Sequence, residues 1–99
     1  MSQNNPKYLE ELKAFDPALY ETASSVVELA YKGGALDRKT KLLIAIALDA
    51  MAGAKGGVTS LSKKAKAEGA SEDEIREAIR LAYFIGANTT LQAATGALE

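Results

Sequence analysis

Residues 42–52 read Leu-Leu-Ile-Ala-Ile-Ala-Leu-Asp-Ala-Met-Ala, and Asp49 is the one polar residue among them. A helix that is apolar on every face has to be buried on every face. These 11 residues fall well short of the roughly 18 that cross a bilayer, so the cover must come from protein. A chain of 99 residues has few elements to spare for that cover. The run alone therefore predicts that neighbouring subunits complete it and that the chain is a homo-oligomer.

The rest of the chain also reads as helix, with no credible strand. The expectation is an all-α bundle of five to six helices in a single domain spanning residues 1–99. Asn5 is placed to cap a short first helix, with Pro6 at its first position and Tyr8, Leu9 and Leu12 along its apolar stripe. Asp16-Pro17 repeats the signal, and Leu19, Ala23, Val26, Val27, Ala30 and Tyr31 mark one helix face until Gly33-Gly34 ends it. Asp37 caps the third helix, whose first turn, Arg38-Lys39-Thr40-Lys41, reads as a solvated start. Ala52–Gly57 should be a tight connection, followed by a more polar helix over about 58–67. Gly69-Ala70-Ser71 stops that helix, and Ser71 with Glu74 forms a capping box for a fifth, facing the core through Ile75, Ala78, Ile79, Ala82 and Tyr83.

Gly86 or Asn88 should interrupt the fifth helix. The small side chains of 88–97 then form a sixth helix, packed closely in a subunit contact. Tyr20, Tyr31 and Tyr83 read as core residues with satisfied hydroxyls. Asn88, Thr89 and Thr90 suit capping, close packing or the lining of a polar cavity.

Function is bounded by what is missing: the chain has no cysteine, no histidine and no tryptophan. Without thiols or imidazoles there is no disulfide, no Cys-x-x-Cys redox pair, no thiolate zinc site and no Ser-His-Asp triad. Asp, Glu, Lys, Tyr, Ser and Thr remain as chemical groups. No motif calls for a metal or other cofactor. Twelve basic against 13 acidic residues give a net charge of −1, with no long run of either sign, so neither nucleic acid nor membrane is an expected partner. The first six residues lack the basic and apolar regions of a signal peptide, and the expected location is cytoplasmic.

The block Leu36-Asp37-Arg38-Lys39-Thr40-Lys41-Leu42-Leu43-Ile44-Ala45, the turn at 53–57, and then Ala65, Gly69-Ala70-Ser71 and Glu74-Ile75 resemble the carboxymuconolactone decarboxylase family, which includes the alkylhydroperoxidase-D-like proteins. The resemblance implies an all-helical homo-oligomer, commonly a trimer or hexamer. In peroxidase-type relatives a Cys-x-x-Cys pair, a histidine and a glutamate carry the reaction. Matched through Ala65 and Gly69, the cysteines fall on Ala54 and Gly57, the histidine on Leu61 and the glutamate on Leu42. With all four replaced, thiol peroxidase or disulfide reductase chemistry is excluded. The histidine-bearing sequence of the decarboxylase branch is missing as well.

Two candidate sites remain. Asp49, alone in an apolar helix, suits a general acid or base, or a structural partner for a Lys or Arg. In the second, Lys55, Gly56 and Gly57 offer a small carboxylate a positive charge and free N–H groups, with Ser60 or Ser62 adding a hydroxyl. A tight helix–helix turn explains the same glycines, and Lys55 could also act as an amine nucleophile. Two functions follow. One is binding or transformation of a small carboxylate or lactone at a subunit-interface pocket, with Asp49 and Lys55 catalytic and Gly56, Gly57 and Ser60 binding. The other is a non-catalytic oligomeric scaffold or regulatory protein that kept the fold and lost the site.

Overall fold

A computed structural model describes residues 4–99 and shows helices joined by short turns, with no strand among the described residues. The helices are α1 (Lys7–Glu11), α2 (Pro17–Tyr31), α3 (Arg38–Ala52), α4 (Lys55–Ala67) and α5 (Glu72–Ala94), followed by a 3₁₀ turn at Thr95–Leu98. None is long and apolar enough to cross a membrane. The chain forms two compact units, residues 1–35 and 36–99.

In the first unit, α1 and α2 form a helical hairpin. Asp16 caps α2, its carboxylate accepting from Leu19 N at 3.0 Å, with Pro17 at the first helical position. The cap expected for α1 is different. Pro6 occupies the N-cap position without a side-chain bond, because the Asn5 amide donates instead to Ser24 Oγ at 3.0 Å and is buried in the hairpin. Leu9 and Tyr20 are the buried apolar residues of this unit.

In the second unit, α3 packs against both α4 and α5. Asp37 caps α3 through Thr40 N at 2.8 Å, and Ser71 and Glu74 complete the capping box of α5, at 3.0 and 2.9 Å. Both connections close through the same device. At the end of α3, Gly53 takes φ +76°, its N–H bonds Ala50 O, and Ala54 N bonds Asp49 O at 2.9 Å. At the end of α4, Gly69 takes φ +94°, its N–H bonds Lys66 O, and Ala70 N bonds Ala65 O at 2.9 Å. Such a pair of bonds stops a helix within two residues and needs a left-handed residue that glycine adopts without strain. The first connection is therefore shorter than expected: α4 begins at Lys55 rather than near residue 58, and Gly56 and Gly57 belong to its first turn.

The fifth helix also departs from expectation. It runs unbroken through Gly86 and Asn88 to Ala94. One glycine inside a helix costs about 1 kcal/mol, which a 23-residue helix absorbs. Tyr83, expected in the core, is 78% exposed.

The core of this unit is narrow. Leu42 and Ile46 are completely covered, with Ala65, Ala70, Ile75 and Ala82 around them. The remaining apolar faces of α3 are not covered: Ile44, Leu48 and Met51 are exposed, as are Leu81, Phe84, Ile85 and Leu91 on α5. Lys39 of α3 bonds Glu74 of α5 at 2.9 Å, which puts the two N-termini level. Since α3 has 15 residues and α5 has 23, the last turns of α5 extend past the end of α3. From Leu81 to Leu98 that segment carries no charge.

Candidate functional site

The candidate residues meet where α3 ends and α4 begins. Asp49 lies in the last turn of α3, where the helix dipole disfavours a carboxylate. The compensation comes from α4. That helix opens at Ala54 with no side-chain cap and no acidic residue in its first turn, so its first N–H groups form an uncompensated positive end. The Asp49 carboxylate lies against that end. A Cβ added to Gly57 would fall on Asp49 Oδ2 and lie 2.9 Å from Asp49 Cγ. Gly57 is thus required for a close approach: the carboxylate fills the space that a side chain at 57 would enter. Gly56, by contrast, has open space around it.

Asp49 is half-buried. Its carboxylate makes no hydrogen bond or ion pair with any side chain among the described residues, so the Lys or Arg partner considered for it is not supplied within the protomer. Lys55, Gly56 and Ser60 are exposed on the first two turns of α4, and Thr59 Oγ1 donates to Lys55 O at 3.1 Å. The four positions matched to family chemistry separate. Ala54 and Gly57 flank the start of α4 beside Asp49 and Leu61 is half-buried further along α4, whereas Leu42 is sealed in the core. A charged group at 42 would be buried without a partner.

The basic start of α3 is not simply solvated. Arg38 Nε bonds Glu68 Oε1 at 3.0 Å, Lys39 bonds Glu74 at 2.9 Å, and Lys66 bonds Glu72 Oε1 at 2.6 Å. The Ser71 N–H and the Lys39 ammonium hold the Glu74 carboxyl below its ordinary range, and the bond to Glu74 raises Lys39. Lys66 lowers Glu72 in the same way. The available signal was the opposite charge of the 38–39 and 68–74 segments, both at helix ends. The Arg38 and Lys39 pairs tie the start of α3 to the end of α4 and to α5, and the Lys66–Glu72 pair ties α4 to α5; all three belong to the frame of the site.

A second feature had no single-residue signal. An open groove of about 440 Å³ runs between α3 and α5, lined by Thr40, Leu43, Ile44 and Ala47 on one side and Glu74, Glu77, Ala78 and Leu81 on the other. It shares no residue with the Asp49–Gly57 contact. Among the described residues there is no group of three or more His, Cys, Asp or Glu side chains able to hold a metal ion.

The resemblance implies an all-helical chain, and the described residues are helical throughout their regular elements, with a glycine-closed α3–α4 turn and a capping box after Gly69-Ala70. Comparison with curated proteins and with solved structures yields no match. The model of the carboxymuconolactone decarboxylase family matches residues 17–99, α2 through the C-terminus, and the chain belongs to that family.

Proposed function

We propose that this protein is a homo-oligomeric member of the family that works by acid–base rather than thiol chemistry, on a small carboxylate or lactone bound at the α3–α4 turn. One observation carries the reading: the Asp49 carboxylate stands in the space over Gly57, the position matched to the second cysteine of peroxidase-type relatives. An acid group takes the place of the lost thiol. In this reading Asp49 gives or takes a proton at the ligand, Lys55 pairs with its carboxylate, and the first-turn N–H groups and Ser60 orient it. The exposed apolar residues of α3 and α5, and the uncharged segment 81–98, support an oligomer whose neighbouring subunits enclose the site. Trimers and hexamers are the assemblies expected from the family.

A thermal-shift panel of small carboxylates and lactones tests the reading. The expected result is stabilisation of the wild type that is lost in Asp49→Ala and Lys55→Ala. Absence of any stabilisation in a folded wild-type oligomer would overturn it. It would favour the second reading, a non-catalytic scaffold, for which the observation is Leu42, an apolar core residue where relatives carry a catalytic glutamate.

A further inference from the structure

The α3–α5 groove and the far end of α5 are used by neither reading of the α3–α4 turn, and each supplies what the other lacks. Leu81, Phe84, Asn88, Leu91, Thr95 and Leu98 recur at alternating steps of three and four residues, the spacing of a coiled-coil seam. This seam lies on a different side of α5 from Ile75 and Ala82, which face the protomer's own core. Its leucines and Phe84 are each more than half exposed. Continued toward the N-terminus, the same line passes Glu77 and Glu74 on the α5 wall of the groove.

From the Lys39–Glu74 bond, α3 runs 13 residues to its end at Ala52, and α5, running level with it, has by then reached residue 87. Residues 88–98 therefore overhang. The overhang is uncharged and about 16 Å long at helical rise. The groove spans residues 40–47 of α3 and 74–81 of α5, with an apolar floor of Leu43, Ile44, Ala47, Ala78 and Leu81. At the same rise its length is about 11 Å, so the overhang is long enough to fill it.

One helix carries both halves of the match, the groove wall first and the overhang after it. A second copy can therefore satisfy both at once through a two-fold axis, whereas a different partner would cover only one of them. Charge sets the direction. Parallel α5 helices would place Glu77 against Glu77 and Glu74 against Glu74 while leaving both grooves empty. Antiparallel helices send the charged first halves to opposite ends. With the axis beside Gly86, Leu81 faces Leu91 of the partner subunit, Phe84 faces Asn88 of the partner subunit, and each overhang lies along the other copy's groove.

We infer that two copies of this chain pair through antiparallel α5 helices, each inserting residues 88–98 into the α3–α5 groove of the other. A reciprocal contact of this kind closes in even numbers, so of the trimer and hexamer expected from the family it selects the hexamer, built of three such pairs. The pairing deepens the homo-oligomeric part of the proposed function and rests on it; it does not depend on the chemistry at the α3–α4 turn.

Native mass spectrometry and disulfide cross-linking of the full chain test the pairing. The wild type should have an even number of subunits. The chain has no cysteine, so introduced thiols report without background. Oxidised Leu81→Cys/Leu91→Cys should run as a covalent dimer on a non-reducing gel. Neither single variant should, because each position lies about 15 Å from its own copy across the axis, beyond the roughly 7 Å reach of a disulfide. Phe84→Lys should at least halve the native mass with helicity retained; if it fails to fold, the cross-links, placed on leucines exposed in the protomer, decide alone. Four results would each overturn the pairing while leaving a homo-oligomer standing: a trimeric mass, a covalent dimer in either single variant, an oligomeric double variant without cross-links, or an unchanged mass in folded Phe84→Lys. A monomeric wild type would overturn both.

Discussion

Replacing Gly57 with alanine should destabilise the protein, although the same change at most helical positions stabilises. Gly57 lies in the first turn of α4. In a helix, alanine is favoured over glycine by about 0.5–1 kcal/mol. Against this stands the new Cβ, which cannot coexist with the Asp49 carboxylate in its present place. Asp49 must rotate away, at about 0.5–1.5 kcal/mol for a strained side chain or about 0.3–1 kcal/mol for losing the positive end of α4. With both costs present, Gly57→Ala loses on the order of 1 kcal/mol net, a fall in Tm of about 4–8 °C in a domain of this size. In an Asp49→Ala background the obstacle is gone and Gly57→Ala should stabilise by about 0.5–1 kcal/mol. The reversal of sign is the signature. A double-mutant cycle by urea denaturation, at one fixed protein concentration because an oligomer's stability depends on it, should give a coupling of about 1–2 kcal/mol. Equal effects of Gly57→Ala in the two backgrounds would refute the contact, and with it the argument that Asp49 replaces a side chain at 57.

Leu42→Ala should cost about 2–5 kcal/mol, as for a fully covered leucine, measured by the shift in urea midpoint. Leu42→Glu should be worse, since it buries an unpaired charge. Ser71→Ala removes the α5 cap and should cost about 1 kcal/mol, read as a lower Tm with little change in urea dependence. Glu74 and Glu72 have lowered native values. Each contributes stability that is present above the ordinary glutamate value of 4.5 and is lost as pH falls through the lowered native value. Acid titration of Tm should therefore fall below about pH 4.5, and Glu74→Gln should flatten that fall while leaving the neutral baseline lower.

What could be read from the sequence was what local chemistry decides. Asp16, Asp37 and Ser71 with Glu74 act on backbone groups three residues away, so their caps were legible, as was the stop at Gly69. Resemblance added the family, on motifs confined to residues 36–75. The misreadings share a cause: the competing interaction was distant in the chain. Asn5 has cap chemistry, yet its amide found Ser24, 19 residues on. Gly86 and Asn88 look like breakers, but a helix already anchored by its capping box and by Ile75 and Ala82 continues through them. Gly56-Gly57 looks like a turn because two glycines in sequence usually are; only the seat of Asp49 explains why position 57 has no side chain. Sequence named Asp49 as chemically conspicuous and could not say what it faced.

The claim that Asp49 is the working group of a small-molecule site is tested most directly at its own carboxyl carbon. In uniformly carbon-13 aspartate-labelled protein, with the Asp49 signal assigned from Asp49→Asn, titration with a small carboxylate-bearing lactone that stabilises the wild type should move that resonance saturably. The midpoint should match the thermal-shift titration, and Lys55→Ala should weaken it. A ligand that stabilises the protein while the Asp49 carboxyl signal stays fixed would contradict the account.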